Sequence, residues 1–98
     1  LEVGAGCGAI TRYLGDMGCR VDAIEGSAAR ARLVHKRCTG LDQVAVIHGN
    51  FHELSLPERG YDLALFIGVL EYAQRFAPAG VSATEGVVQM LDKAMAAL

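Results

Sequence analysis

The stretch LEVGAGCGAI, residues Leu1 to Ile10, decides the fold. Leu1 to Val3 read as the tail of a buried strand, Gly4, Gly6 and Gly8 form a turn, and a helix begins at Ala9. Glycines without a Cβ let the backbone take positive φ and come close to a ligand. The helix N-terminus that follows adds partial positive charge. With Ala9 the run also satisfies the G-x-G-x-x-A spacing of dinucleotide sites, so the glycines alone leave the ligand open between a pyrophosphate and another nucleoside.

Downstream, the pattern repeats strand and helix. Ile10, Leu14 and Met17 recur at spacings of four and three, which predicts a helix over 9–17 with that stripe facing a sheet and Gly18 as its stop. CRVDAIEG (19–26) reads as a second strand ending in an acid and a glycine. Ser27 is placed to cap a helix over 28–38 that stops at Gly40. QVAVIHG (43–49) is a third strand, and NFHELSLPERG (50–60) is loop. YDLALFIGVL (61–70) is almost continuously apolar and predicts a central strand buried on both faces. Ser82 to Glu85 form a capping-box signature before a last helix with Val87, Val88, Leu91, Met95 and Leu98 as its core stripe.

Strands alternating with helices imply right-handed crossovers and a doubly wound parallel α/β sheet, here in the order 3-2-1-4. Such sheets bind ligands at the carboxyl ends of the strands where the winding reverses, between strands one and four. The opening turn lies there.

Composition bounds the rest. The chain has 98 residues, 52% of them hydrophobic and 20% charged, which suits one packed domain and argues against disorder. A net charge of -2 provides no global positive field for nucleic acid or an anionic membrane surface. No long apolar run or export signal is present, which together with three cysteines lacking C-x-x-C spacing points to a reducing cytoplasmic setting. Cys7, Cys19 and Cys38 read as small core fillers, with Cys7 also within reach of a ligand. His48 and His52 are four apart but separated by a strand end and Gly49, so no metal set is expected. Arg30, Arg32, Lys36 and Arg37 form a solvated helix face. Because Leu1 already lies inside a strand, residues 1–98 are expected to be a single domain truncated at both ends of a longer protein, with strand four left at an open edge.

Glu2 narrows the ligand. A carboxylate at that strand end repels a pyrophosphate and welcomes an α-ammonium. S-adenosylmethionine carries such an amine, a ribose with two free hydroxyls, an adenine and no phosphate. In these stretches the chain resembles the class I S-adenosylmethionine-dependent methyltransferases: LEVGAGCG matches their first motif, VDAIEGS their second strand with its terminal acid, IHGNF their third and YDLALFIGVLEYA their fourth. The resemblance implies a Rossmann-like methyltransferase fold and a cofactor site. In it Gly4, Ala5, Gly6 and Gly8 pass under the methionine and ribose, and Glu2 holds the amino end. Glu25, followed by Gly26, accepts from the ribose hydroxyls, while Asn50 and Phe51 meet the adenine. Ile67 and Gly68 line the crevice at the end of strand four. Asn50 stands where the family usually has Asp, and Tyr72 where many members have His, so no catalytic base is assigned.

The fourth motif also looks like methyltransferase domains fused to glycosyltransferases of surface-polysaccharide synthesis, which suggests a small-molecule or saccharide-linked acceptor. Two other functions remain: an NAD(P)-dependent oxidoreductase, which needs Glu2 turned away from the phosphates, and a non-catalytic S-adenosylmethionine-binding module, motivated by Asn50 and Tyr72.

Overall fold

The computed structural model describes residues 1–98. Four parallel strands, β1 (Glu2–Val3), β2 (Val21–Glu25), β3 (Val44–His48) and β4 (Leu65–Phe66), form one sheet in the order β3-β2-β1-β4. The helices are α1 (Ala9–Asp16), α2 (Ala28–Arg37), α3 (Ala73–Phe76) and α4 (Ala83–Ala97). This is the doubly wound α/β topology that the alternating pattern predicts. Glu2 is in register with Ala23 on one side and Leu65 on the other, and β2 pairs with β3 along its whole length, Val21 with Val44 through Glu25 with His48.

The alternation of β2 sends its side chains into two cores. Val21 and Ala23 join Ala5, Val34 and Cys38 on the face covered by α1 and α2. Ile24 joins Leu1, Val3, Phe51, Ala73, Met90 and Ala94 on the face covered by α3 and α4. Helix boundaries follow their caps. The Ser27 hydroxyl accepts from the Arg30 N–H at 3.4 Å, and Ser82 and Glu85 complete a reciprocal capping box. Gly18 and Gly40 both have positive φ where α1 and α2 end.

Four expectations need correction. The apolar run 61–70 yields only a two-residue strand, with Leu63 and Ile67 exposed. Its one paired edge is β1, itself two residues long, and Gly68 at φ 64° turns the chain away. The rest of the run continues into a 3-10 turn over Leu70–Tyr72 and then α3, neither of which the periodicity signals. In α4 the buried positions are Gly86, Met90, Ala94 and Ala97, with Val87 half-buried, whereas Val88, Leu91, Met95 and Leu98 are exposed. Small residues let α4 approach the sheet and α3 closely, so the face with smaller side chains is the one that packs. For the same reason α1 buries Thr11 and Gly15 while Met17 is exposed. Of the cysteines only Cys38 fills the core; Cys7 and Cys19 are exposed. The basic residues of α2, Arg30, Arg32, Lys36 and Arg37, are all on the solvent face as expected.

Candidate functional site

Beyond β1 the backbone climbs in a turn whose three glycines all take positive φ, 78°, 60° and 84° for Gly4, Gly6 and Gly8. The N–H groups of Gly4 and Ala5 both donate to the Ile24 carbonyl, at 2.8 and 3.1 Å, which ties the turn to the end of β2. A Cβ on Gly4 would lie 2.6 Å from Val69 Cγ2, so the segment leaving β4 can close on the turn only over a glycine. Gly8 is not among the residues lining the cavity, and a Cβ there would lie 2.9 Å from Val34 Cα. Its need for glycine comes from packing of the turn on α2. At Gly6 a Cβ would meet nothing within 4 Å, so the turn faces open space there.

Two acids flank the turn. Glu25 ends β2 and is 6% exposed, with Oε2 accepting from the Gly6 N–H at 2.6 Å and Oε1 from the Ser27 N–H at 3.0 Å. These charge-assisted bonds compensate its burial, and each oxygen keeps a further lone pair for a hydroxyl donor. Glu2, 4% exposed, accepts from the Thr11 hydroxyl at 2.5 Å. Burial holds the Glu2 carboxyl above its ordinary range, with the Thr11 hydrogen bond working in the opposite direction.

The turn and the strand ends enclose a cavity of about 700 Å³, within the size range of small-molecule and cofactor sites. Glu2, Gly4, Ala5, Gly6, Glu25 and Gly26 all line it. So do Asn50, Phe51, Ile67 and Gly68, which brings ten of the eleven expected residues to one cavity. Phe51 is also a core residue, packed edge-on against Phe66 with ring centres 5.7 Å apart. Its N–H donates to no group of the chain, whereas its carbonyl and that of His52 accept from Lys93 Nζ of α4 at 2.6 and 3.0 Å. Burial pulls the Lys93 ammonium below its ordinary range. Asn50 accepts from the His52 N–H at 3.1 Å and donates from Nδ2 to the Phe76 carbonyl at 2.7 Å.

Sequence reading missed several residues of the cavity. Val69 comes to it from the segment leaving β4, and Arg75, Phe76 and Met90 from α3 and α4, whose packing no local pattern announced. His52 also lines it, and its Nε2 is buried without a hydrogen-bond partner, a feature that calls for a ligand or water contact. Arg30 and Arg75 line the same space, so basic residues as well as the two strand-end acids surround it. No group of three or more His, Cys, Asp and Glu side chains comes together as a metal site. No helix is long and apolar enough to cross a membrane.

The residues present suit S-adenosylmethionine: an open cradle at Gly6, a carboxylate with spare acceptor capacity at Glu25, a second buried carboxylate at Glu2, and an unused N–H at Phe51. No curated protein shows a significant match to the chain. The family model described as a methyltransferase domain matches residues 1–95. With its strand order and glycine turn in agreement with that match, the chain belongs to this family of methyltransferase domains.

Proposed function

We propose that this domain binds S-adenosylmethionine and directs its methyl group to an acceptor. The observation that carries this reading is the pair of buried strand-end carboxylates, Glu2 and Glu25, facing one cavity behind a glycine turn. Bound there, S-adenosylmethionine supplies an electrophilic methyl on a sulfonium. Glu2 takes the α-ammonium, directly or through water, and its buried negative charge also favours a nearby cation. Glu25 accepts from the ribose hydroxyls with the lone pairs that Gly6 and Ser27 leave free. The Asn50 amide oxygen accepts from the adenine amino group, the Phe51 N–H donates to a ring nitrogen, and the Phe51 ring forms a wall. Ile67 and Gly68 shape the crevice where the acceptor enters.

Methyl transfer is an in-line displacement assisted chiefly by positioning and by a preorganised field. No base is therefore required of the chain for acceptors already nucleophilic. Tyr72 borders the cavity and is half-exposed, close enough to touch an acceptor. A small-molecule or saccharide-linked acceptor in a reducing cytoplasm fits the charge balance and the free cysteines.

Titration calorimetry on the complete protein tests the reading. S-adenosylmethionine and S-adenosylhomocysteine should bind and NAD should not. Heat from NAD alone would transfer the assignment to a nicotinamide oxidoreductase. Methyl transfer from labelled cofactor to cell-extract acceptors, lost in Glu25→Ala, separates an enzyme from a non-catalytic module.

A further inference from the structure

We propose that Phe76 is the outer wall of the adenosine end of the cavity and that Asn50 holds it there. The inference rests on the S-adenosylmethionine reading and adds to it a binding residue that no sequence motif marks. Three observations converge. First, two carbons of the Phe76 ring lie 3.5 and 3.7 Å from the position a Cβ would take on Gly26, the residue immediately after Glu25. The ring thus stands beside the acid assigned to the ribose. Second, Phe76 borders the cavity and is 40% exposed, an aromatic surface that nothing in the chain covers completely. Third, its carbonyl accepts from Asn50 Nδ2 at 2.7 Å, so the residue assigned to the adenine amino group grips the other side of the same segment.

The segment is anchored at both ends. Ala73, at the start of α3, is 2% exposed and packs against Gly86 of α4, where a Cβ would lie 3.3 Å from the Ala73 carbonyl. At the far end the Asn50 amide does two jobs at once, accepting from the His52 N–H at 3.1 Å and donating to the Phe76 carbonyl. A carboxylate can perform only the first, and it would set a negative charge against the carbonyl oxygen. The amide at position 50 therefore has a physical reason. It gives up a charged acceptor for the adenine and gains a donor that closes α3 over the base. An aromatic ring so held offers a stacking surface to any purine, which adds affinity that depends on the base rather than on the amino-acid end of the ligand.

The test uses the full-length protein with S-adenosylhomocysteine as probe. The chain contains no tryptophan, so Phe76→Trp adds an indole reporter whose emission is read as the difference from the parent protein. Phe76→Trp should bind within about threefold of the parent, and its added emission should be quenched on saturation, as expected for a ring stacked on adenine. Phe76→Ala should weaken binding by about tenfold. Asn50→Asp keeps the acceptor oxygen and loses the donor, and should weaken binding by about fivefold and abolish the quenching when combined with Phe76→Trp. Asn50→Asp binding as tightly as the parent or more tightly, unquenched Phe76→Trp, or full affinity in Phe76→Ala would each overturn the assignment. If the parent protein binds the probe and the variants match it, this inference alone fails. If the parent does not bind, the cofactor reading fails with it.

Discussion

Strands β2 and β4 flank β1 on opposite sides, and both come from stretches read as strands in the sequence, but they behave differently. β2 runs five residues, four of them buried, with a paired neighbour along each edge. β4 runs two half-buried residues out of a ten-residue apolar stretch and has a neighbour on one edge only. Apolar content alone does not make a strand; the ladder needs partners, and burial needs something to cover each face. The functional groups divide accordingly. The β2 side of the crevice carries Glu25, with both oxygens engaged by backbone N–H groups. The β4 side carries Ile67 and Gly68, exposed and free of such bonds. We read the first as the rigid cofactor side and the second as the adaptable acceptor side.

The comparison breaks most severely at Gly4, where the two sides meet. Gly4→Ala puts a Cβ 2.6 Å from Val69 Cγ2 at a φ of 78°, and should cost about 3 kcal/mol or more of stability together with ligand binding. A denaturant melt reads the loss directly; wild-type stability would show that the β4 exit does not close on the turn. Next in size is the contrast between cores. Ile24→Ala, at a side chain 1% exposed, should cost about 2 to 5 kcal/mol. Ile67→Ala, 55% exposed, should fall within about 0.5 kcal/mol. Equal losses in the same melts would erase the distinction between the two strands.

Glu25→Ala should reduce affinity for S-adenosylhomocysteine by about 1 to 3 kcal/mol, since it leaves ribose hydroxyls unpaired and frees the Gly6 and Ser27 N–H groups. Calorimetry that found unchanged affinity would refute the ribose role. The smallest expected effect is a proton. Burial raises the Glu2 carboxyl above its ordinary value of 4.5, so over the window above that value the folded chain binds a proton that the unfolded chain has already released. Stability should accordingly fall as pH rises through that window. Where the site is still protonated, an ammonium-bearing ligand should release the proton and bind more tightly as pH increases. Binding heats measured in buffers of different ionisation enthalpy count that proton; none released at mildly acidic pH would argue against contact between Glu2 and the ammonium.

What the sequence disclosed follows the same division. The β2 side was legible because its signals are local: glycines that must take positive φ, acids at strand ends, and Ser27 at a helix start. The other side was not, because its structure depends on what packs against it. Val88, Leu91 and Met95 have helical spacing, yet α4 buries the row containing Gly86, Met90 and Ala94, a choice made by how closely α3 can approach. Phe76 of α3 reaches the cavity, and Lys93 of α4 holds the Phe51 and His52 carbonyls, without any motif, through contacts 26 and 41 or 42 residues distant in sequence. Gly8 shows a requirement the spacing does not announce: besides fitting a ligand turn, it packs against the Val34 backbone.

The claim that the strand-end acids select an ammonium-bearing nucleoside is tested most directly at Glu2. Glu2→Gln keeps one oxygen to accept from the Thr11 hydroxyl, as the Glu2 carboxylate does at 2.5 Å, and replaces the charged carboxylate by a neutral amide. Calorimetry on the full-length protein should then show S-adenosylhomocysteine bound about tenfold more weakly, with NAD binding in neither protein. Undiminished affinity for S-adenosylhomocysteine in Glu2→Gln, or tighter binding of NAD than of S-adenosylhomocysteine in the parent protein, would contradict the account.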